Sequence, residues 1–152
     1  MLPQEVRELL NTNYFGYLCT RGKYPHITPI FFTYDQRSSI YFMSEFRSKK
    51  IGNILKDNRV ALVVDVRDEN DPFNNEGVLI TGFARVYLPG EIEAEDYDII
   101  YTTYELFKSK YSEFVEFEDR GDVLVEIRIV KVSHWKGTRF SSLKVKSPHG
   151  QP

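Results

Sequence analysis

The chain of 152 residues holds one cysteine and one tryptophan. A single thiol, Cys19, excludes an internal disulfide. It lies in the apolar run YFGYLC, which suits a buried, unreactive thiol better than a nucleophile. No apolar run is long enough to cross a bilayer as a helix. The N-terminal MLPQEVRELL is amphipathic and lacks the apolar core of a signal peptide. Charge of one sign is missing too. A net charge of −2 excludes the basic excess of a dedicated nucleic-acid binder. No histidine or cysteine pair has zinc spacing. There is no P-loop, nucleophile elbow or dinucleotide glycine fingerprint. The acidic stretch RDENDPFNNEG is not an EF-hand, because Phe73 stands where that loop requires glycine and Leu79 where it requires glutamate. What remains is a chain the size of one domain, with the cytoplasm as its expected home and neither nucleic acid nor membrane among its expected partners.

What is present is a run of short strands. Residues 3–11 read as a helix with Val6, Leu9 and Leu10 on one face. YFGYLCT (14–20), HITPIFFTY (26–34) and IYFMS (40–44) read as strands, with DQRSS as a turn. Pro29 cannot donate to a ladder, so it implies a strand edge or a bulge. Residues 47–56 read as a helix with Ile51, Ile54 and Leu55 on one face. RVALVVDV (59–66) is almost continuously apolar and reads as a strand covered on both sides. GVLITGFARVYL (77–88) is the next strand, where Gly82 marks a bulge or a close backbone approach. A long helix follows around 91–116, with an aromatic stripe of Tyr97, Tyr101, Tyr104, Phe107, Tyr111 and Phe114 suited to core or dimer packing. DVLVEIRIVKVSHW (122–135) is the last long strand. The single domain is expected to end near residue 137. Beyond it, the tail 138–152 loses the pattern and is expected to be partly disordered. The chain is thus mainly β with flanking helices, and its order suggests a closed or partly closed barrel.

Three places carry possible chemistry. In SEFRSKK, Ser44 ends a strand and Ser48 is placed to cap a helix. Arg47, Lys49 and Lys50 crowd that helix N-terminus, where free amides already favour an anion. A phosphate and a solvated basic turn fit the spacing about equally. Lys49 and Lys50 converge only if Lys49 lies at the loop junction. In KYPHITPIFF, Pro29 frees backbone groups beside His26, Thr28 and Ile30. An edge strand is the plainer account there, and a planar ligand with polar edges the alternative. In VSHWKGTRF, Trp135 is either a stacking wall or a plug for the barrel end, with Arg139 nearby.

The order of these pieces resembles the pyridoxamine 5′-phosphate oxidase-like family, the FMN-binding split barrels. The resemblance rests on GYLCTRGKYPHITPIFFTYD, IYFMSEFRSKKIGNILKDNRVALVVDV and GVLITGFARV, and extends more weakly to VSHWKGTR. It implies a six-stranded antiparallel split barrel that pairs as a homodimer, with FMN at the interface. It implies that Ser48, Lys49 and Lys50, with Ser44 and Arg47, bind the flavin phosphate. His26, Thr28, Pro29 and Ile30 would lie along the isoalloxazine ring. Trp135, with Arg139, would reach the flavin of the other subunit.

The substrate pocket departs from the true oxidases. They carry an arginine early in the second strand, where this chain has His26. They carry a glutamine before the glycine of the fifth strand, where this chain has Gly77. After the tryptophan they carry an arginine–x–histidine pair, and here Arg139 has no such histidine. These departures speak against vitamin B6 oxidation. The expectation is an FMN-dependent oxidoreductase acting on a small organic substrate. The alternatives are a reductase using the deazaflavin F420 and a flavin-binding dimer without turnover.

Overall fold

The computed structural model describes residues 2–35, 39–114 and 122–145. Its elements are α1 (Gln4–Thr12), β1 (Phe15–Arg21), β2 (Pro25–Tyr34), β3 (Ser39–Ser44), α2 (Lys49–Lys56), β4 (Arg59–Arg67), β5 (Asn75–Tyr87), α3 (Asp96–Tyr111), β6 (Val123–Lys136) and β7 (Arg139–Lys144). The strands run in the order β3-β2-β1-β4-β5-β6-β7, and a β3–β6 pairing closes the first six into an antiparallel barrel. Alternation dictates that closure. Leu18, Phe32, Ile40, Phe42, Leu62, Val78, Ile80, Val125 and Ile127 all turn inward and are buried. Gly82 sits at a register shift between β5 and β6, and a Cβ there would overlap the Arg128 carbonyl. Only glycine lets the two strands approach at this bend.

The helices cover different parts of the barrel. α1 and α2 seal the core with Val6, Leu9, Leu10, Ile51 and Ile54. Each such side chain contributes about 1.5–3 kcal/mol when fully buried. α3 lies on the outer face, where Phe107 and Tyr111 pack with Tyr41, Tyr87 and Leu124. Beneath it Glu126 is buried, yet Ser39 (2.8 Å) and Tyr87 (2.6 Å) donate to its carboxylate. Burial first, and then that carboxylate, push the Tyr87 hydroxyl above its ordinary pKa.

Several expectations are corrected. β4 is not covered on both sides: Val60, Leu62 and Val64 are buried, while Ala61 and Val63 are half-buried and Asp65 is exposed. In a barrel an apolar run divides between the core and the outer wall. Leu55 is exposed, and Asn53 takes the buried place on α2. α3 begins at Asp96 rather than 91, because residues 88–95 form turns in which Gly90 adopts φ +88°. Its expected end at 115–116 lies outside the described residues. Its stripe divides: Phe107 and Tyr111 are buried, but Tyr97 and Tyr101 are exposed. The tail does not lose order at once. Gly137 turns the chain at φ +60°, and β7 returns along β6 from Arg139 to Lys144. The rest of the tail, 146–152, lies outside the described residues.

Lys110 ties α3 to α1. Its Nζ donates to the carbonyls of Leu10 and Phe32, both at 3.1 Å. α1 has no basic residue in its own last turn, so Lys110 supplies the cation that a helix C-terminus favours. Burial lowers the Lys110 ammonium from 10.5 to about 8. Between pH 8 and 9.5 the unfolded chain therefore holds a proton that the folded chain has released, and stability rises with pH. Urea unfolding should show a gain of about 1 kcal/mol over that window, after discounting for solvent screening. Lys110→Met should abolish the gain relative to the parent chain.

Candidate functional site

The barrel splits where β2 and β3 part. β2 pairs with β1 from Pro25 to Phe31, but with β3 only from Phe32 to Tyr34. The other edge of 25–31 has no ladder partner among the described residues. Pro29 lies in this free stretch and is exposed, so its missing amide costs no ladder bond. His26 and Thr28 face the split, partly covered, and Ile30 is buried.

α2 closes this end of the barrel. Asn53 Nδ2 donates to Thr20 Oγ1 at 3.0 Å, and Thr20 is the ladder partner of His26. The helix N-terminus and His26 thus share one end of the fold. Ser48 occupies the N-cap position, but its side chain does not cap the helix. Its Oγ instead lies 2.9 Å from Ser44 Oγ. The first-turn amides therefore keep free donors. Lys49 is the first helical residue, at the loop junction that convergence with Lys50 requires. Arg47 and Lys49 are exposed and Lys50 is half-buried. Among the described residues no carboxylate forms an ion pair with any of the three. Two hydroxyls, open amides and unpaired cations make an anion cradle.

On β2, His26 Nδ1 is buried without a hydrogen-bond partner among the described residues. Such an atom costs about 1–3 kcal/mol unless something meets it. Thr28 Oγ1 makes only a marginal contact with the Pro29 carbonyl, at 3.5 Å, and stays available.

Trp135 and Arg139 are elsewhere. Ser44 pairs with Val123 at the start of β6, and Trp135 is twelve residues further along that strand (135 − 123). It stands on the outer face, against Gly77 of β5. Arg139 pairs with Lys136, one position on, so its side chain takes the other face of the hairpin from Trp135. Within one chain neither joins the cradle. The sequence alone misses Asp65, whose Oδ1 accepts a bond from Trp135 Nε1 at 3.1 Å. Its one signal is a lone charge in the apolar run VALVVDV.

A closed six-stranded barrel that opens between its second and third strands, with an anion cradle in the opening, defines a split-barrel protein. The chain belongs to the pyridoxamine 5′-phosphate oxidase family, whose sequence model matches residues 2–136. Solved structures share the fold at low identity. An FAD-binding protein from Mesorhizobium loti is 19% identical with a TM-score of 0.67, over 88% of this chain and 94% of that one. A conserved hypothetical protein from Mycobacterium tuberculosis is 19% identical with a TM-score of 0.71, over 91% and 86%. A protein related to general stress protein 26, of the pyridoxinephosphate oxidase family, from Clostridium acetobutylicum is 15% identical with a TM-score of 0.63, over 93% and 92%. A search of curated proteins gave no match.

Proposed function

We propose that this chain is a flavin-dependent oxidoreductase that binds FMN in the split and acts, as a homodimer, on a small organic substrate. One observation carries this: Ser44, Ser48, Lys49 and Lys50 gather at the N-terminus of α2, where the two hydroxyls lie 2.9 Å apart and no described carboxylate pairs with either lysine. The residues fit the cofactor. Two hydroxyls, the amides of the first turn of α2 and two ammonium groups suit a phosphate dianion. The free edge at 25–31 offers backbone groups, Thr28 Oγ1 and His26 Nδ1 to the polar rim of a planar ring. Bound there, the flavin supplies hydride or electron transfer, and the chain supplies binding, orientation and exclusion of water.

Two features support the dimer. Trp135 is remote from the cradle of its own chain, which suits a role at the site of a second copy. The barrel wall formed by β2, β1, β4 and β5 is also bare and apolar, and borders α3 where the Phe31 ring meets Tyr111. Phe15, Tyr17, Ile27 and Phe31 are exposed there, beside half-buried Val63 and Leu79. Their register makes them one surface across β2, β1, β4 and β5. A patch of this kind marks an interface.

F420 is the second reading. Lys23, Lys56, Arg21 and Arg59 add basic residues to the β1–β2 turn and the far end of α2, which a longer anionic tail could use. Against it, both arginines already share Asp57, at 3.1 and 2.9 Å. The deciding measurement is the absorbance spectrum of the purified protein, followed by titration with FMN and with F420. The expected result is FMN bound at about one per subunit with micromolar or tighter affinity. Saturable F420 binding without FMN would transfer the site to the deazaflavin. Binding of neither would end the oxidoreductase proposal. Bound FMN that no donor can reduce would leave a flavin-binding dimer without turnover.

A further inference from the structure

We propose that Asp65 and Asn75 are positioning residues that hold the Trp135 indole in a fixed orientation for the cofactor bound by the second copy; this rests on the flavin assignment above. Asp65, Gly77 and Trp135 form one row across β4, β5 and β6. The indole lies on the backbone of Gly77. A Cβ at that glycine would stand 2.5 Å from Cε2 and 2.7 Å from Nε1, so any side chain there would lift the ring away. Contact with Gly77 fixes the plane of the ring but not its rotation in that plane. The indole N–H fixes the rotation. It donates to Asp65 Oδ1 at 3.1 Å. Asn75, turned so that Nδ2 donates to the Phe73 carbonyl at 3.0 Å, sets its oxygen 3.2 Å from the same N–H.

The acceptor is itself held. Arg67 Nε donates to the other Asp65 oxygen at 2.7 Å, and Arg67 also donates to the Pro72 carbonyl at 3.1 Å. Asp65 and Arg67 are exposed, so these bonds add little to folding stability. Asp65 ends the outward apolar row of Ala61 and Val63 on β4. Fixing a ring that must meet a ligand accounts for its place, since a site depends on the groups that orient its contacts.

Trp135 is the only tryptophan, so it reports on itself. The test compares the parent chain with Asp65→Ala/Asn75→Ala, with Asp65→Asn, and with Trp135→Ala, all titrated with FMN. Tryptophan emission and anisotropy of the cofactor-free protein are read alongside for the chains that keep Trp135. The double variant should show a shifted emission maximum, lower anisotropy and an FMN dissociation constant raised roughly tenfold, the loss of one well-made contact. Asp65→Asn keeps an acceptor and should stay near the parent. If Trp135→Ala weakens FMN binding while the double variant changes neither emission nor affinity, the positioning role is overturned and the flavin assignment stands. If Trp135→Ala itself leaves FMN affinity unchanged, Trp135 is not at the cofactor and the positioning role is overturned while the flavin assignment stands; if the parent chain binds no FMN, the flavin assignment fails as well.

Discussion

Replacing Lys49 and Lys50 together with alanine should weaken FMN binding by about 3–6 kcal/mol, roughly a hundredfold to ten-thousandfold in Kd. The lower figure is expected. Lys49 is exposed, so water screens its charge, whereas Lys50 is half-buried and keeps more of it. Both side chains lack an ion-pair partner among the described residues, so their removal leaves no buried carboxylate behind. Alanine is also the better helix former, so α2 should persist. Titration followed by flavin fluorescence gives the affinity, and circular dichroism checks the helix. Unchanged affinity with an intact helix would place the phosphate elsewhere and remove the main support for FMN in the split.

Tyr17→Glu should convert the proposed dimer to monomers. Tyr17 stands between Pro29 and Val63 in the bare wall and is 50% exposed in the single chain. The monomer therefore tolerates a carboxylate there. Burying that charge against a second copy would cost about 4 kcal/mol, near a thousandfold in dimer dissociation. Sedimentation velocity at micromolar protein should show a single species of monomer mass. FMN affinity should fall with it, because Trp135 of the second copy is lost. Tyr101→Glu is the control. Tyr101 is 69% exposed, but on α3 and not on a strand of that wall. It should leave the mass unchanged. A Tyr17→Glu protein that stays dimeric would move the interface to another face.

Much of this architecture is legible in the sequence, for physical reasons. Gly82 announces a bend because few other reasons put glycine inside an apolar strand. Pro29 announces a free edge because it has no amide to donate. SEFRSKK points to a candidate anion site because cations gather where the helix dipole is already positive. What stays hidden has reasons too. RFSSLK is exposed along its whole length, so β7 has no inward face to write an alternation. The run RVALVVDV looks doubly covered because an outer wall suited to pairing uses the same residues as a core. Ser48 reads as a helix cap, but its hydroxyl has a nearer partner in Ser44, which only folding brings close. Trp135 and Asp65 are 70 residues apart in the chain, and no local pattern joins them.

The hairpin that ends the described chain bears on how the protein must be handled. β6 gives one edge to two neighbours in turn, β3 along its first half and β7 along its second. The family match stops at residue 136, where that second half is still bare. A protein cut there would present the backbone of residues 131–136 to water as an open template for any other extended chain. With β7 in place the outermost strand is short and flanked by Arg139 and Lys144, and Val145 pins its far end to the Val130 carbonyl at 2.7 Å. A truncation designed on family boundaries alone would therefore exchange a barrel with a covered edge for one prone to aggregate, and the shortest version that keeps the cover runs through Val145.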